Sequence, residues 1–232
     1  TVSLWADGDI LPSFNRQLVK SVIRSISKLV HLCKETPDTD RFDVVVLATL
    51  RPPHTDSLHL ENANITCEDG FIKTNNSCRT NNSKIYAVGE CAGCQHSAAF
   101  AITQGRVAAE SACGLDSEID SICIPQVVWS SPEIAQCGEF DDANTVAVRW
   151  GNSGLAVALG QQQGITVLSF DPSSQMVLGI GIAGLGATEM ISEGVLALEM
   201  GATLYDLATI VRPHPTRSEL LTEVARIALT SL

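Results

Sequence analysis

The stretch that most constrains this chain lies near its C-terminus, where residues 214–219 read His-Pro-Thr-Arg-Ser-Glu and precede an apolar segment. Thr216 and Glu219 have the spacing of a capping box, in which the threonine hydroxyl bonds an amide of the first turn and the glutamate reaches back. Apolar residues then recur at helical spacing, namely Leu220, Val224 and Ile227. The pattern predicts a helix that begins cleanly and buries one face.

His214 lies between two prolines, Pro213 and Pro215, which restrict the backbone on either side of it. Glu219, one turn along, could accept the imidazole N–H, fix the tautomer and raise the basicity of the other ring nitrogen. Such a pair suits acid/base chemistry. On spacing alone, the simpler interpretation is that His214 is a loop residue and Glu219 a helix cap.

Composition narrows the class of protein. The chain has 232 residues and a formal net charge of −11, which argues against nucleic acid and anionic membrane as partners, because both favour clustered Lys and Arg. No apolar run reaches membrane-spanning length and no signal peptide is visible. Eight irregularly spaced cysteines are typical of reduced thiols in an intracellular protein, of the cytoplasm or mitochondrion. Because the chain starts at Thr1, we expect it to be processed, trimmed or a fragment.

Apolar periodicity predicts the secondary structure. A helix is predicted over residues 15–32 and a hairpin over residues 68–72. A continuous apolar strand is predicted over residues 42–49, and a strand of this kind belongs in a sheet that is covered on both faces. Another strand is predicted over residues 84–88. Further strands are predicted over 124–129, 165–170 and 177–182, and further helices over 97–112 and 188–200.

Two motifs suggest cofactor chemistry and carry less weight. Cys91 and Cys94, with His96 behind them, could be a redox pair, half of a zinc site or ordinary thiols. No second ligand pair has matching spacing, so we predict no metal. Residues 184–186 read Gly-Leu-Gly before a predicted helix but lack the third glycine of a dinucleotide fingerprint. We therefore expect no complete G-x-G-x-x-G loop for FAD or NAD, and the chain has no C-x-x-x-x-C pair to serve as a redox disulfide.

The motif at residues 214–219 resembles the C-terminal signature of the FAD-dependent pyridine nucleotide–disulfide oxidoreductases, and of their dihydrolipoamide dehydrogenase branch in particular. The resemblance implies that His214 is the acid/base for a dithiol substrate and that Glu219 orients it. It also implies that this histidine serves the active site of the opposite subunit of a homodimer. A cis bond between His214 and Pro215 is implied as well.

Other segments extend the resemblance. Residues 10–14 and 130–135 match family motifs, and Gly89-Glu90 follows a strand as the family's Gly-Asp does. The resemblance implies FAD contacts at Gly89, Glu90, Ser97 and Ala98, with the glutamate carboxylate bonding the ribityl chain and a backbone amide at the start of the next helix meeting the flavin. The chain departs from the family pattern at Leu50, His54 and Ala99. Between Gly138 and Gly160 a strand and a helix are expected to be trimmed.

The expected fold is α/β plus α+β, a remnant of Rossmann-like nucleotide-binding domains followed by an interface domain with an antiparallel sheet. Residues 1–41 would be the tail of the NAD-binding domain, residues 42–121 the C-terminal part of the FAD-binding domain, and residues 122–232 the interface domain. One interpretation is a C-terminal portion of such a flavoenzyme, inactive without an N-terminal half, with NAD bound only through that half. Its partner would be a second copy or a companion chain.

Two other interpretations stay open from the sequence. The chain could be a non-catalytic structural or assembly subunit of a larger complex, which the departures at Leu50, Glu90 and Ala99 favour. It could also bind a small ligand or a flavin on its own, which the expected lack of phosphate-binding loops disfavours.

Overall fold

A computed structural model describes residues 1–49, 51–93 and 97–232. The chain divides into two compact units. The first unit combines Thr1–Arg41 with Ile122–Leu232, and the second unit is Phe42–Ser121. Within the described ranges, no helix combines the length and the apolar character needed to cross a membrane.

The described residues form nine strands, several of them very short, and six α-helices. The strands are β1 (Ser3–Leu4), β2 (His31–Leu32), β3 (Cys67–Glu68), β4 (Phe71–Ile72), β5 (Gln126–Val128), β6 (Ile134–Gly138), β7 (Thr145–Arg149), β8 (Ile165–Phe170) and β9 (Val177–Ala183). The α-helices are α1 (Arg16–Ile26), α2 (Ala98–Ala112), α3 (Gly154–Ala158), α4 (Ala187–Glu199), α5 (Leu204–Thr209) and α6 (Glu219–Thr230). The expected mixed α/β class is confirmed.

The first unit is built on a five-stranded antiparallel sheet in the order β5-β6-β9-β8-β7. One face packs on α4, α5 and α6, where the buried side chains include Leu168, Ile180 and Leu221. The other face packs on α1 through Leu18 and Val22. Because both faces are covered, β8 and β9 are apolar along nearly their whole length rather than alternating. The same unit holds a short parallel pair, β1 with β2.

Helix α1 is shorter than its apolar pattern predicts. It ends at Ile26, whose carbonyl accepts from the amides of both Leu29 and Val30 before the chain turns into β2. Pairing of β2 with β1 therefore limits the helix, and Leu29, within the predicted helix, lies outside it and is 75% exposed.

The segment between Gly138 and Gly160 contains both a strand, β7, and a helix, α3, of only five residues. Ser153 begins α3 by accepting from the amide of Ala156. Trp150 lies just before it, fully buried, with its indole N–H donating to the Thr166 hydroxyl at 3.1 Å. The segment thus keeps both elements, and the expectation that a strand and a helix are trimmed here stays a prediction.

The second unit contains the predicted hairpin and the predicted alanine-rich helix. Asp69 and Gly70 take φ angles of 52° and 83° between β3 and β4, as a tight turn of this kind requires. Helix α2 begins after Ser97 and ends before Gly114, whose φ of 86° is typical of a helix C-terminus. Its buried face packs Val107 and Ala108 with Cys78.

Two predicted strands do not form in the second unit. Residues 44–47 are irregular and exposed, with Val46 82% and Leu47 84% accessible. In residues 84–88 only Tyr86 is paired, through a single bridge to Arg79. A continuous apolar strand needs strands on both sides to satisfy its backbone. Apart from the β3–β4 hairpin and that bridge, the described part of this unit supplies no strand pairing.

Candidate functional site

The loop before α6 brings His214 and Glu219 into direct contact. The imidazole Nδ1 lies 2.7 Å from Oε1 of Glu219, the first residue of α6, and the other carboxylate oxygen accepts from the Thr216 amide at 2.7 Å. The His214 side chain is 81% exposed and that of Glu219 is 37% exposed. The carboxylate thus fixes the orientation of an imidazole that solvent can reach. The His214–Pro215 bond is cis, as expected.

Thr216 does not cap the helix as its spacing predicts. Its hydroxyl donates to the carbonyl of Pro213 at 2.8 Å, and Ser218, the residue before α6, makes no side-chain cap bond. Only half of the predicted capping box is present, the contact from Glu219 back to the Thr216 amide. The other half is lost because α6 begins two residues later than the box requires.

The same contacts favour the ionised form of Glu219. The hydrogen bond with His214, followed by the bond from the Thr216 amide, lowers the pKa of this carboxyl below its usual value. An ionised carboxylate beside Nδ1 holds the proton on that nitrogen. The arrangement leaves Nε2 as the ring nitrogen that can exchange a proton with an external group.

Arg212 anchors the chain two residues before His214. Its side chain is 5% exposed. The guanidinium donates to the Glu193 carboxylate on α4, to the Leu207 carbonyl in α5 at 3.0 Å, and to the Thr222 hydroxyl on α6. One buried cation therefore joins three helices at the base of the loop. No sequence pattern predicts this network, because Glu193 and Arg212 are nineteen residues apart.

A complete G-x-G-x-x-G spacing does occur, at Gly179, Gly181 and Gly184, so the expectation that the chain lacks one is wrong as a matter of spacing. Gly179 and Gly181 lie inside β9, paired with β6 and β8. A Cβ on Gly181 would lie 2.5 Å from Cδ1 of Leu18, so this glycine admits α1 close to the sheet. These glycines serve packing and do not form a phosphate loop.

The N-terminus of α4, which follows these glycines, is occupied by a carboxylate of the chain itself. Glu133 accepts from the amides of Gly186 and Thr188 and from the Thr188 hydroxyl, at 2.7–3.2 Å. Burial raises the pKa of Glu133, but these bonds and the charge of Arg217 outweigh it, so the net pKa is lowered. Glu133 therefore holds the position at which a nucleotide phosphate would bind.

In the second unit, Gly89 and Glu90 lie at the end of the segment that was expected to be a strand. Gly89 has a φ of 81° and its amide donates to the buried side chain of Gln104 on α2 at 2.8 Å. The Glu90 carboxylate pairs with Arg51 at 3.0 Å and is 45% exposed. Gln104, which the sequence did not single out, thus fixes the turn that presents Glu90.

Ser97 and Ala98 lie at the start of α2. The Ser97 hydroxyl accepts from the amide of Phe100 at 3.2 Å, and Ala98 is the first helical residue. The positive end of this fifteen-residue helix therefore lies at the two residues expected to approach a flavin. Small side chains at Ala98 and Ala99 leave the backbone approachable.

Of the two thiols in the Cys91/Cys94 motif, only Cys91 lies within the described residues. The Cys91 thiol donates to the Val88 carbonyl at 3.3 Å, whereas Cys94 and His96 lie outside the described residues, as does Leu50. Among the residues that are described, no group of three or more His, Cys, Asp or Glu side chains could hold a metal ion.

Two matches to one family cover most of the chain. Residues 15–112 match the pyridine nucleotide–disulphide oxidoreductase family, and residues 124–225 match its dimerisation domain. The chain therefore belongs to the pyridine nucleotide–disulphide oxidoreductases, which are flavoproteins. Within that family it is similar to dihydrolipoyl dehydrogenases. It is 34% identical to that of Bacillus subtilis over 99% of this chain and 56% of the relative.

Other relatives and solved structures agree. The dihydrolipoyl dehydrogenase of Thermus scotoductus is 37% identical over 79% of this chain and 41% of that protein. The chain spans about half the length of these curated relatives. LpdA from Mycobacterium tuberculosis superposes with a TM-score of 0.83 at 24% identity, over 97% of this chain and 56% of that one. The HOCl-induced flavoprotein disulfide reductase RclA from Escherichia coli gives 0.85 at 20% identity, over 97% and 59%. These two structures support the fold alone.

Proposed function

We propose that this chain is the C-terminal portion of a dihydrolipoyl dehydrogenase-like flavoprotein. It supplies the dimerisation domain, part of the FAD site and the acid/base, and it is inactive without an N-terminal half. The observation that carries the proposal is the 2.7 Å contact between Nδ1 of His214 and the Glu219 carboxylate, on a side chain that is 81% exposed. An exposed imidazole whose tautomer is fixed by a carboxylate is suited to take a proton from a substrate.

The chemistry proposed for His214 is proton transfer with a dithiol. Nε2 takes the proton of one substrate thiol, and the thiolate attacks a protein disulfide carried by the N-terminal half, forming a mixed disulfide and releasing one protein thiolate. The second substrate thiol then displaces the remaining sulfur, so the substrate leaves as a disulfide and the protein pair is left reduced. Glu219 stabilises the imidazolium that exists between these steps.

The residues expected to hold FAD fit the cofactor in part. The Glu90 side chain is 45% exposed, and its carboxylate could accept from a sugar hydroxyl. The positive end of α2 lies at Ser97 and Ala98. The G-x-G-x-x-G spacing supplies no pyrophosphate loop for them, since its first two glycines lie within β9. When bound, FAD would carry electrons from the reduced disulfide towards NAD. Both phosphate-binding loops would come from the N-terminal half.

A homodimer is the assembly we propose for the interface domain. Exposed apolar side chains run from the end of α4 through α5 to the loop of His214, namely Leu196, Met200, Tyr205, Ile210 and Val211. Val211, which directly precedes Arg212, is 94% exposed. An apolar surface of this kind beside His214 suits a second copy of the chain. Across that contact, His214 would reach the disulfide carried by the N-terminal half that accompanies the second copy. We retain the proposed division into an NAD-domain tail over 1–41, an FAD-domain part over 42–121 and an interface domain over 122–232.

The test begins with an absorbance spectrum and mass analysis of the protein purified from its source without added cofactor. A flavin band together with a chain bearing C-x-x-x-x-C supports the proposal. A colourless protein that travels with unrelated large subunits would instead support a structural subunit.

Reconstitution with an N-terminal half then tests the acid/base. His214→Ala should lower the oxidation of dihydrolipoamide by about 10²–10⁴-fold, the usual contribution of general acid–base catalysis. His59→Ala is the matched control, because His59 is also exposed and paired with a glutamate, Glu61, at 3.3 Å. Equal activity of the His214→Ala variant and the control would show that His214 is not the base.

A further inference from the structure

A cleft in the first unit concentrates positive charge in a chain whose net charge is −11. The cleft has a volume of about 630 Å³ and lies between α1 with the turn after it on one side and the end of β7 with the start of β8 on the other. Four cationic side chains line it: Lys20, Arg24, Lys28 and Arg149. Among the described residues, no carboxylate lines this cleft.

The ordinary polar face of an amphipathic helix explains only part of this concentration of positive charge. Lys20 and Arg24 lie on the polar side of a helix that buries Leu18 and Val22, and Arg24 in the last turn interacts favourably with the helix dipole. Several exposed cations elsewhere are paired, as in Arg51–Glu90, Lys73–Glu68 and Arg106–Glu110. The four cations of the cleft form no ion pair with any residue in the described part of the chain. In the described part of the chain, no direct ion pair therefore offsets their mutual repulsion.

The spacing of the four cations suits a compact ligand. Lys20 and Arg24 are one i, i+4 step apart on α1, and neighbours at this spacing lie about 5–6 Å apart on a helix surface. Lys28 follows four residues later, in the turn after the helix, and Arg149 faces them from the end of β7. Like charges at such spacing destabilise a free helix. A bound anion between the two walls would reverse that effect.

We propose that this cleft binds a small molecule that carries two or more phosphate groups. Its volume lies within the range of small-molecule sites, about 300–1,000 Å³. Four cations need about four negative charges to balance them. Phosphate monoesters carry about 1.5–2 negative charges each, so two or three groups are enough, whereas single carboxylates would have to number four in the same space. Gln162 and Gln163, which also line the cleft, add amide donors.

Phosphate groups of this kind could belong to a nucleoside triphosphate or to an inorganic polyphosphate, which share the same chemistry. A longer polyanion such as nucleic acid fits less well, because the cleft is short and the remaining surface of the chain is acidic. The proposal is independent of the acid/base role proposed for His214.

Isothermal titration of the intact chain with tripolyphosphate, at about 50 mM salt to limit screening, tests the proposal. We expect saturable binding of one ligand per chain. The double variant Arg24→Gln/Arg149→Gln should bind at least about tenfold more weakly. The matched control is Arg41→Gln/Lys84→Gln, which removes the same charge from exposed positions outside the cleft and should change the affinity less than about twofold.

Titrations with ATP and with citrate identify the source of the phosphate groups and test whether the ligand must carry phosphate. Binding of ATP as tightly as tripolyphosphate, or more tightly, supports the site and makes a nucleotide its source, whereas weaker ATP binding with tight tripolyphosphate binding supports an inorganic polyphosphate. Citrate binding as tightly as tripolyphosphate would overturn the choice of phosphate. Lack of saturation at about 1 mM, a weak affinity by any standard, or equal weakening in the two double variants would overturn the site itself.

Discussion

Replacing Arg212 with alanine should destabilise the first unit more than any exposed substitution. The change removes a buried guanidinium that bonds the Glu193 carboxylate, the Leu207 carbonyl and the Thr222 hydroxyl. Breaking a buried ion pair by removing one partner costs about 3–5 kcal/mol. The Glu193 side chain is 32% exposed, so water can recover part of its solvation. We therefore expect a loss of about 2–4 kcal/mol in the free energy of unfolding.

Thermal and urea unfolding, followed by circular dichroism, would measure this loss. For a unit of this size, each kcal/mol shifts Tm by about 2–4 °C, so a fall of about 4–16 °C is expected. Arg106→Ala is the control. Arg106 forms an exposed i, i+4 pair with Glu110 at 3.0 Å, and such pairs contribute about 0.3–0.5 kcal/mol.

A double-mutant cycle with Glu193→Gln identifies the source of the effect. The coupling between Arg212 and Glu193 should be about 1 kcal/mol or more, because the two side chains share a direct contact. A loss below about 1 kcal/mol for Arg212→Ala, or the absence of coupling to Glu193, would refute the reasoning that this cation anchors the loop of His214.

Three further predictions concern single side chains. Because folding lowers the pKa of Glu219, the ionised carboxylate stabilises the fold above the unfolded pKa near 4.5. This contribution is lost as the pH falls through the folded pKa. Tm measured from about pH 6 down to pH 3 should therefore fall less steeply in Glu219→Gln than in the unchanged protein. Gly181→Ala should cost about 1–3 kcal/mol in urea unfolding, because its new Cβ would meet the fully buried Leu18. Burial raises the pKa of Cys137 to about 12, so a thiol reagent should modify exposed Cys67 rapidly and Cys137 only on unfolding.

The strands predicted best from the sequence are those that other segments of this chain pair with and cover. Strands β8 and β9 lie where their continuous apolar runs place them, because helices cover both faces of the sheet. The run at residues 44–47, Val-Val-Val-Leu, is also uninterrupted and apolar but is irregular and exposed. An apolar run indicates only that a segment can be buried. Whether it forms a strand depends on neighbouring strands, which are distant in sequence.

The contact between His214 and Glu219 could be predicted because both residues belong to one loop and one helix start. The residues that support the site could not. Arg212 meets Glu193 across nineteen residues, and Gln104 meets the Gly89 amide across fifteen. Such partners are set by how helices pack, and neither side chain type nor spacing along the chain reports that packing.

The glycines of β9 show why spacing needs structural context before it indicates chemistry. Gly179, Gly181 and Gly184 have the dinucleotide spacing and precede a helix, as a phosphate loop would. A phosphate loop places its glycines in the turn after a parallel strand and leaves the helix N-terminus open to the ligand. Here two of the glycines lie within an antiparallel strand, and Glu133 already accepts from the first amides of α4. A carboxylate of the chain thus takes the place of the ligand. Gly181 is needed for the approach of α1 to the sheet, and a Cβ on Gly184 would collide with the Trp150 ring.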